Sequence, residues 1–214
     1  LYLDENQLTS IFSAKDDEYW PSLQVLMARK NLLNETIPSS ISNWKNLRML
    51  DLSTNDKSKG PILEYGLPHW SAIESIDIAQ SGFTGTIPDS ELRFLTTLSA
   101  SGTQLSGSLP ETLAAATNLE ILTVGLGLSD TTMTGTLPES YAALTALRQF
   151  SLVGTKDING TLPASWGRTW TSLQVLDLFE NPSITGTIPS TWGHMSSLNV
   201  MRLADTGIQG SIPT

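Results

Sequence analysis

Few side chains in this 214-residue chain have the types and spacing that chemistry requires. Asp51 and Asp77 are the strongest acidic pair, because two carboxylates held close repel and would share a proton or a cation. Calcium needs about six oxygen ligands, and only Ser53 can be added to those two. An acid–base pair works in a cleft, not on an open surface. His69, in Pro68-His69-Trp70, and His194, in Gly193-His194-Met195, have no second histidine or carboxylate at metal-ligand spacing. Gly125-Leu126-Gly127 lacks the third glycine and following helix of a dinucleotide loop. Cysteine is absent, which removes thiol catalysis, thiolate metal sites and disulfides from this segment. No catalytic residue, metal site or cofactor is therefore expected.

What must position any functional side chain is a repeat. The string Leu-x-x-Leu-x-Leu-x-x-Asn/Thr-x-Leu-x-Gly-x-Ile-Pro starts at Leu23, Leu47, Ile73, Leu95, Leu119, Leu147, Leu173 and Leu198, after a truncated copy at Leu1. Successive spacings are 24, 26, 22, 24, 28, 26 and 25 residues. Such a period marks a solenoid in which each unit buries its apolar face only against its neighbours.

In the copy at Leu173, Leu173, Leu176 and Leu178 occupy positions 1, 4 and 6. The alternation predicts a short strand with Val175, Asp177 and Phe179 facing outward. Asn181, at position 9, suits an inward amide that satisfies backbone groups of adjoining turns. Gly186 and Pro189 turn the chain, and Trp192, Met195 and Leu198 recur at the interval of a 3-10 return segment. Nine parallel strands follow, centred near residues 2, 27, 51, 77, 99, 123, 151, 177 and 202. Trp44, Trp70, Trp166 and Trp192 fall at the buried phase of the return segment, which reads as core packing. Glu35 replaces the glycine of one tail and Leu63 the proline of another. The longest insertion, around Gly127 to Met133, reads as a plain surface excursion, and Asp16-Asp17-Glu18 as an exposed turn.

Through these motifs, essentially the whole chain resembles the leucine-rich repeat superfamily, in the class whose Gly-x-Ile-Pro tails are typical of plant receptor ectodomains. The resemblance implies an α/β solenoid: a right-handed superhelix with a parallel concave sheet, short 3-10 or irregular convex segments, and extra strand pairing near the tail. Residues 1–214 would then be one domain of about nine turns, cut within the array at both ends. A narrower likeness is to the promastigote surface antigen family of trypanosomatid parasites. It rests on Thr103, Thr155 and Thr206 at the Asn position, and on Leu162-Pro163-Ala164-Ser165-Trp166 and Ile188-Pro189-Ser190-Thr191-Trp192. Asn6, Asn31, Asn55 and Asn181 keep the general form.

A formal charge of −9 without a Lys/Arg cluster argues against a nucleic-acid partner. No apolar run is long enough to cross a membrane, so no membrane contact is expected of this segment. Asn34-Glu35-Thr36 and Asn159-Gly160-Thr161 are glycosylation sequons at the same place in the repeat. Asn34 and Asn159 should face solvent, consistent with an extracellular or cell-surface protein.

The outward face of the sheet is the default binding surface of a solenoid. Its middle column reads Tyr2, Met27, Asp51, Asp77, Ser99, Thr123, Ser151, Asp177, Arg202. Aromatic and arginine side chains make the usual anchors, so Tyr2, Arg29, Asp51, Asp77, Asp177, Phe179 and Arg202 are the expected contacts. On an open sheet the Asp51–Asp77 pair reads most simply as solvated charges. The expected function is a non-catalytic recognition module for a protein, peptide or glycan ligand. The alternatives are a structural segment of a surface coat or fibre, and an inhibitor of a secreted hydrolase. Leu1, Leu3, Met201, Leu203 and Ile212 are inward residues of the terminal turns, so cover by flanking repeats, caps or self-association through the solenoid ends is expected.

Overall fold

A computed structural model describes residues 1–12, 20–125, 132–155 and 157–213. The repeat strands lie side by side in one parallel sheet, in chain order: Val25–Met27, Met49–Asp51, Ser75–Asp77, Thr97–Ser101, Ile121–Gly125, Gln149–Val153, Val175–Asp177 and Val200–Arg202. Each centre falls within one residue of the position the repeat predicts. The first turn contributes a bridge between Tyr2 and Met27, with the Leu3 N–H donating to Met27 O at 2.6 Å.

A second parallel sheet runs along the approach to the Gly-x-Ile-Pro tails. Its strands are Asn55–Gly60, Ser81–Thr86, Gln104–Ser108, Thr132–Thr136, Asp157–Thr161, Ile184–Gly186 and Gly207–Ile208. The chain returns through 3-10 turns at Ser39–Asn43, Glu111–Ala115, Glu139–Ala143 and Ser190–His194, and single α-turns at Ile62–Gly66 and Trp166–Thr169. Each 3-10 turn starts directly after a proline, whose fixed φ suits the entry and whose missing N–H the first turn does not need. Among the described residues no helix is long and apolar enough to cross a membrane.

Between the sheets and the return segments lies a continuous core. Position 4 of successive turns supplies Leu26, Leu50, Ile76, Leu98, Leu122, Phe150 and Leu176, all buried. On the return side the polar tips of five large aromatics are hydrogen-bonded to the preceding turn, as a buried indole or phenol requires. Tyr141 Oη donates to Pro110 O at 3.1 Å, Trp166 Nε1 to Pro138 O at 3.0 Å and Trp192 Nε1 to Pro163 O at 2.9 Å. Trp70 Nε1 and Trp170 Nε1 donate in the same way to Ile41 O and Tyr141 O. Trp166 and Trp170 stack with ring centroids 4.1 Å apart.

Position 9 stitches the turns from within. Asn31, Asn55 and Asn181 each donate to carbonyls of their own turn and of the turn before, for example Asn55 Nδ2 to Leu52 O at 2.9 Å and to Ala28 O at 3.0 Å. Thr103 and Thr206 at the same position reach only their own turn, bonding Ala100 O and Leu203 O. At the terminal turns Leu1, Met201 and Ile212 are exposed. The Asp16-Asp17-Glu18 run and residues 126–131 of the insertion lie outside the described residues.

Candidate ligand-binding face

On six of the concave strands the residue at position 5 goes with the strand's length; Val25–Met27 and Val200–Arg202 end at position 5 without an aspartate there. Where it is aspartate, the strand stops there: Met49–Asp51, Ser75–Asp77 and Val175–Asp177. Where it is serine or threonine, the strand continues for two more residues, to Ser101, Gly125 and Val153. The cause is a carboxylate that folds back onto the backbone N–H two residues on. Asp51 Oδ1 accepts from Ser53 N at 2.9 Å, Asp77 Oδ1 from Ala79 N at 3.0 Å and Asp177 Oδ1 from Phe179 N at 3.2 Å. That donor is then withdrawn from the sheet.

The expected contact residues fall into three groups along the face. At the first turn Tyr2 is 78% exposed. Beside it Glu5 bridges Arg29 at 3.1 Å and Lys30 at 3.0 Å. The Lys30 hydrogen bond, with the charges of Lys30 and Arg29, lowers the Glu5 carboxyl from its ordinary value. Asp4 Oδ1 also accepts the Arg29 backbone N–H at 2.9 Å.

Asp51 and Asp77 form the second group, as direct cross-strand partners in the parallel register. They are half-buried. The reason is the Asx-like bend, which lays each carboxylate against its own strand end; Asp51 Oδ1 accepts from Ser53 Oγ at 2.6 Å as well. Burial, joined by the charge of Asp51, raises the Asp77 carboxyl above its ordinary value. Among the described residues no group of three or more His, Asp or Glu is placed to hold a metal ion. His69 and His194 are exposed, and His194 Nδ1 lies 2.9 Å from Thr191 O.

The third group is brought together at the last described turns. Asp177 is buried, and its Oδ2 accepts from Arg202 Nη1 at 3.0 Å. With Phe179, Val153, Met201, Leu203 and Ala204 they line a hollow of about 620 Å³.

Between the second and third groups runs a trough that the sequence reading did not count among the contacts. Ser99, Thr123 and Ser151 lie in register on the three long central strands. Thr123 is 7% and Ser151 8% exposed, although both face the open side of the sheet. Thr123 Oγ1 reaches Ser99 Oγ at 3.4 Å. The run of small hydroxyl side chains at position 5 was the available signal. Away from this face, Asn34 and Asn159 are both exposed.

No protein-family model matches the sequence, and no curated protein is similar to it. Solved structures are similar. The Arabidopsis receptor kinase HAESA, in complex with the peptide hormone IDA and the co-receptor SERK1, superposes with a TM-score of 0.80 at 25% identity, over 90% of this chain and 31% of that one. This chain is a leucine-rich repeat protein. A PEPR1–AtPEP1 complex matches the repeat array with a TM-score of 0.70 at 26% identity, over 90% of this chain and 30% of that one. A leucine-rich repeat protein of Leptospira interrogans shares the fold at 21% identity and a TM-score of 0.64, over 88% of this chain and 45% of that one. The leucine-rich repeat array described here thus spans less than a third of the length of the two receptor chains.

Proposed function

We propose that this leucine-rich repeat array is a non-catalytic recognition module of a secreted or cell-surface protein, and that it binds a protein or peptide along its concave sheet. The observation that carries the reading is the concave face itself. An uncharged trough of Ser99, Thr123 and Ser151 lies between Asp77 and Asp177, and a hollow with an aromatic and an arginine, Phe179 and Arg202, lies beside it. Small polar positions let a ligand backbone approach closely, and Phe and Arg are suitable anchors. The similar receptor HAESA is in complex with a peptide, IDA. Exposed sequons at Asn34 and Asn159 support passage through a secretory pathway.

Selection of a random displayed-peptide library on the protein tests the reading. Selected peptides should lose binding to Thr123→Arg, which fills the trough, and keep it with Thr145→Arg on the return side. Binders indifferent to Thr123→Arg would overturn the concave-face assignment.

A further inference from the structure

The return segments carry a series of acid–hydroxyl links that stops at one turn. The residue after the tail proline is acidic in three consecutive turns, Asp89, Glu111 and Glu139. Each acid accepts a hydrogen bond from a hydroxyl of the following turn. Thr112 Oγ1 donates to Asp89 Oδ1 at 3.2 Å, Ser140 Oγ to Glu111 and Ser165 Oγ to Glu139. In the next turn the same place is held by Ala164. The hydroxyl that would meet an acid is still there, but Thr191 Oγ1 donates to the Ala164 backbone carbonyl at 2.6 Å instead.

Beside this gap lies an arginine that nothing neutralises. Arg29, Arg48, Arg93, Arg148 and Arg202 are each ion-paired with a carboxylate. Arg168 is exposed and, among the described residues, has no such partner. With Ala142, Ala164, Ser165, Thr169 and Thr191 it lines a hollow of about 370 Å³ on the return side. The planar fork of a guanidinium matches the two oxygens of a carboxylate, and the hollow holds no acid of its own facing Arg168. Its walls are fixed. Trp166 Nε1 and Trp192 Nε1 are bonded to the preceding turns, and a Cβ on Gly167 would collide with Thr191 O, so the two return segments lie in close backbone contact. A site already ordered costs less to bind.

We infer that this hollow receives an aspartate or glutamate side chain of a partner protein, whose carboxylate takes the place of the missing acid between Arg168 and the Thr191 hydroxyl. The three intact links show which group fits there, an amino-acid carboxylate met by the hydroxyl of the following turn. The methyl groups of Ala142 and Ala164 leave room for the segment that carries it. This surface lies on the return side and is independent of the function proposed for the concave sheet.

The experiment is selection of a random heptapeptide library on the wild-type protein, with counter-selection on Ala164→Glu, which supplies the missing acid from within the chain. The recovered peptides should carry aspartate or glutamate. Replacing the selected acid by its amide, or Arg168 by Gln in the protein, should each weaken binding about tenfold, the scale of a lost charge-assisted hydrogen bond. Arg168→Gln alters an exposed side chain without an ion pair, so its thermal midpoint should match the wild type. The midpoint of Ala164→Glu should be equal or higher, and a lower one would show that a carboxylate does not fit the place. Peptides without an acidic residue, or peptides that bind Arg168→Gln as tightly as wild type, would overturn the site. So would a library in which no binder is excluded by Ala164→Glu. Arg168-dependent binding of a hexuronate oligosaccharide, with no acidic peptide recovered, would overturn the protein partner.

Discussion

Asp177 and Arg202 join the last two concave strands through a 3.0 Å contact in which the acid side chain is 11% exposed and the base 64%. Removing the base leaves a carboxylate largely out of water with only the Phe179 N–H for company. Arg202→Met should therefore destabilise the C-terminal turns by about 1 kcal/mol, a modest figure because the arginine is solvent-screened. Adding Asp177→Asn should recover part of that loss. A double-mutant cycle in urea showing no coupling would contradict the pairing.

Asp77 predicts a pH dependence of the opposite sign to the usual paired carboxylate. Burial and the charge of Asp51 raise its carboxyl above the ordinary value of 3.8, against the opposing hydrogen bonds of the Ala79 N–H and the Ser99 side chain and the charge of Arg29. The native state therefore holds this proton more tightly than the unfolded chain, and stability falls as pH rises from about 3.8 through the raised value. Asp77→Asn should raise the thermal midpoint at pH 7 and change it little at pH 3. An equal effect at both pH values would show that the charge is not responsible.

Gly125 ends the central strand with φ +93°, and a Cβ there would stand 2.0 Å from Val153 O and 2.8 Å from Val153 N. Because those atoms are backbone of the neighbouring turn, they cannot swing away. Gly125→Ala should cost more than about 3 kcal/mol, at the severe end for point substitutions. Gly193→Ala meets nothing within 4 Å and serves as the neutral control.

Thr54 follows its strand in the left-handed region at φ 57°, where a β-branched side chain is strained. Gly102 and Gly154 occupy the equivalent place after the central strands, also at positive φ. Thr54→Gly should stabilise the protein by up to about 1 kcal/mol, since only a 3.4 Å exposed contact with Gln80 is lost. Chemical denaturation checks it.

Expression through a secretory pathway should attach N-linked glycan at the exposed Asn34 and Asn159. Intact mass of the wild type against Asn34→Gln and Asn159→Gln reads each site separately. Unmodified mass in all three would count against surface display.

The strand centres, the buried phase of the tryptophans and the inward asparagines were legible from the residues alone. A solenoid turn meets only its neighbours, so burial follows a fixed phase that leucine, glycine and proline mark directly. The early end of three strands was also readable in principle, because the bond that Asp51, Asp77 or Asp177 accepts from the second following N–H is local. What needed the tertiary structure lies between turns, about 25 residues apart and with irregular spacing. Glu35 looks like a lapse from glycine in the repeat, yet its carboxylate takes Ser10 Oγ and Ile11 N at 2.6 Å and Phe12 N at 3.0 Å, fastening the first turn to the second. Arg29 could have faced Asp51 but turns to Glu5, whereas Arg202 does face Asp177. Side-chain rotamers and the stagger of adjacent turns chose between those partners.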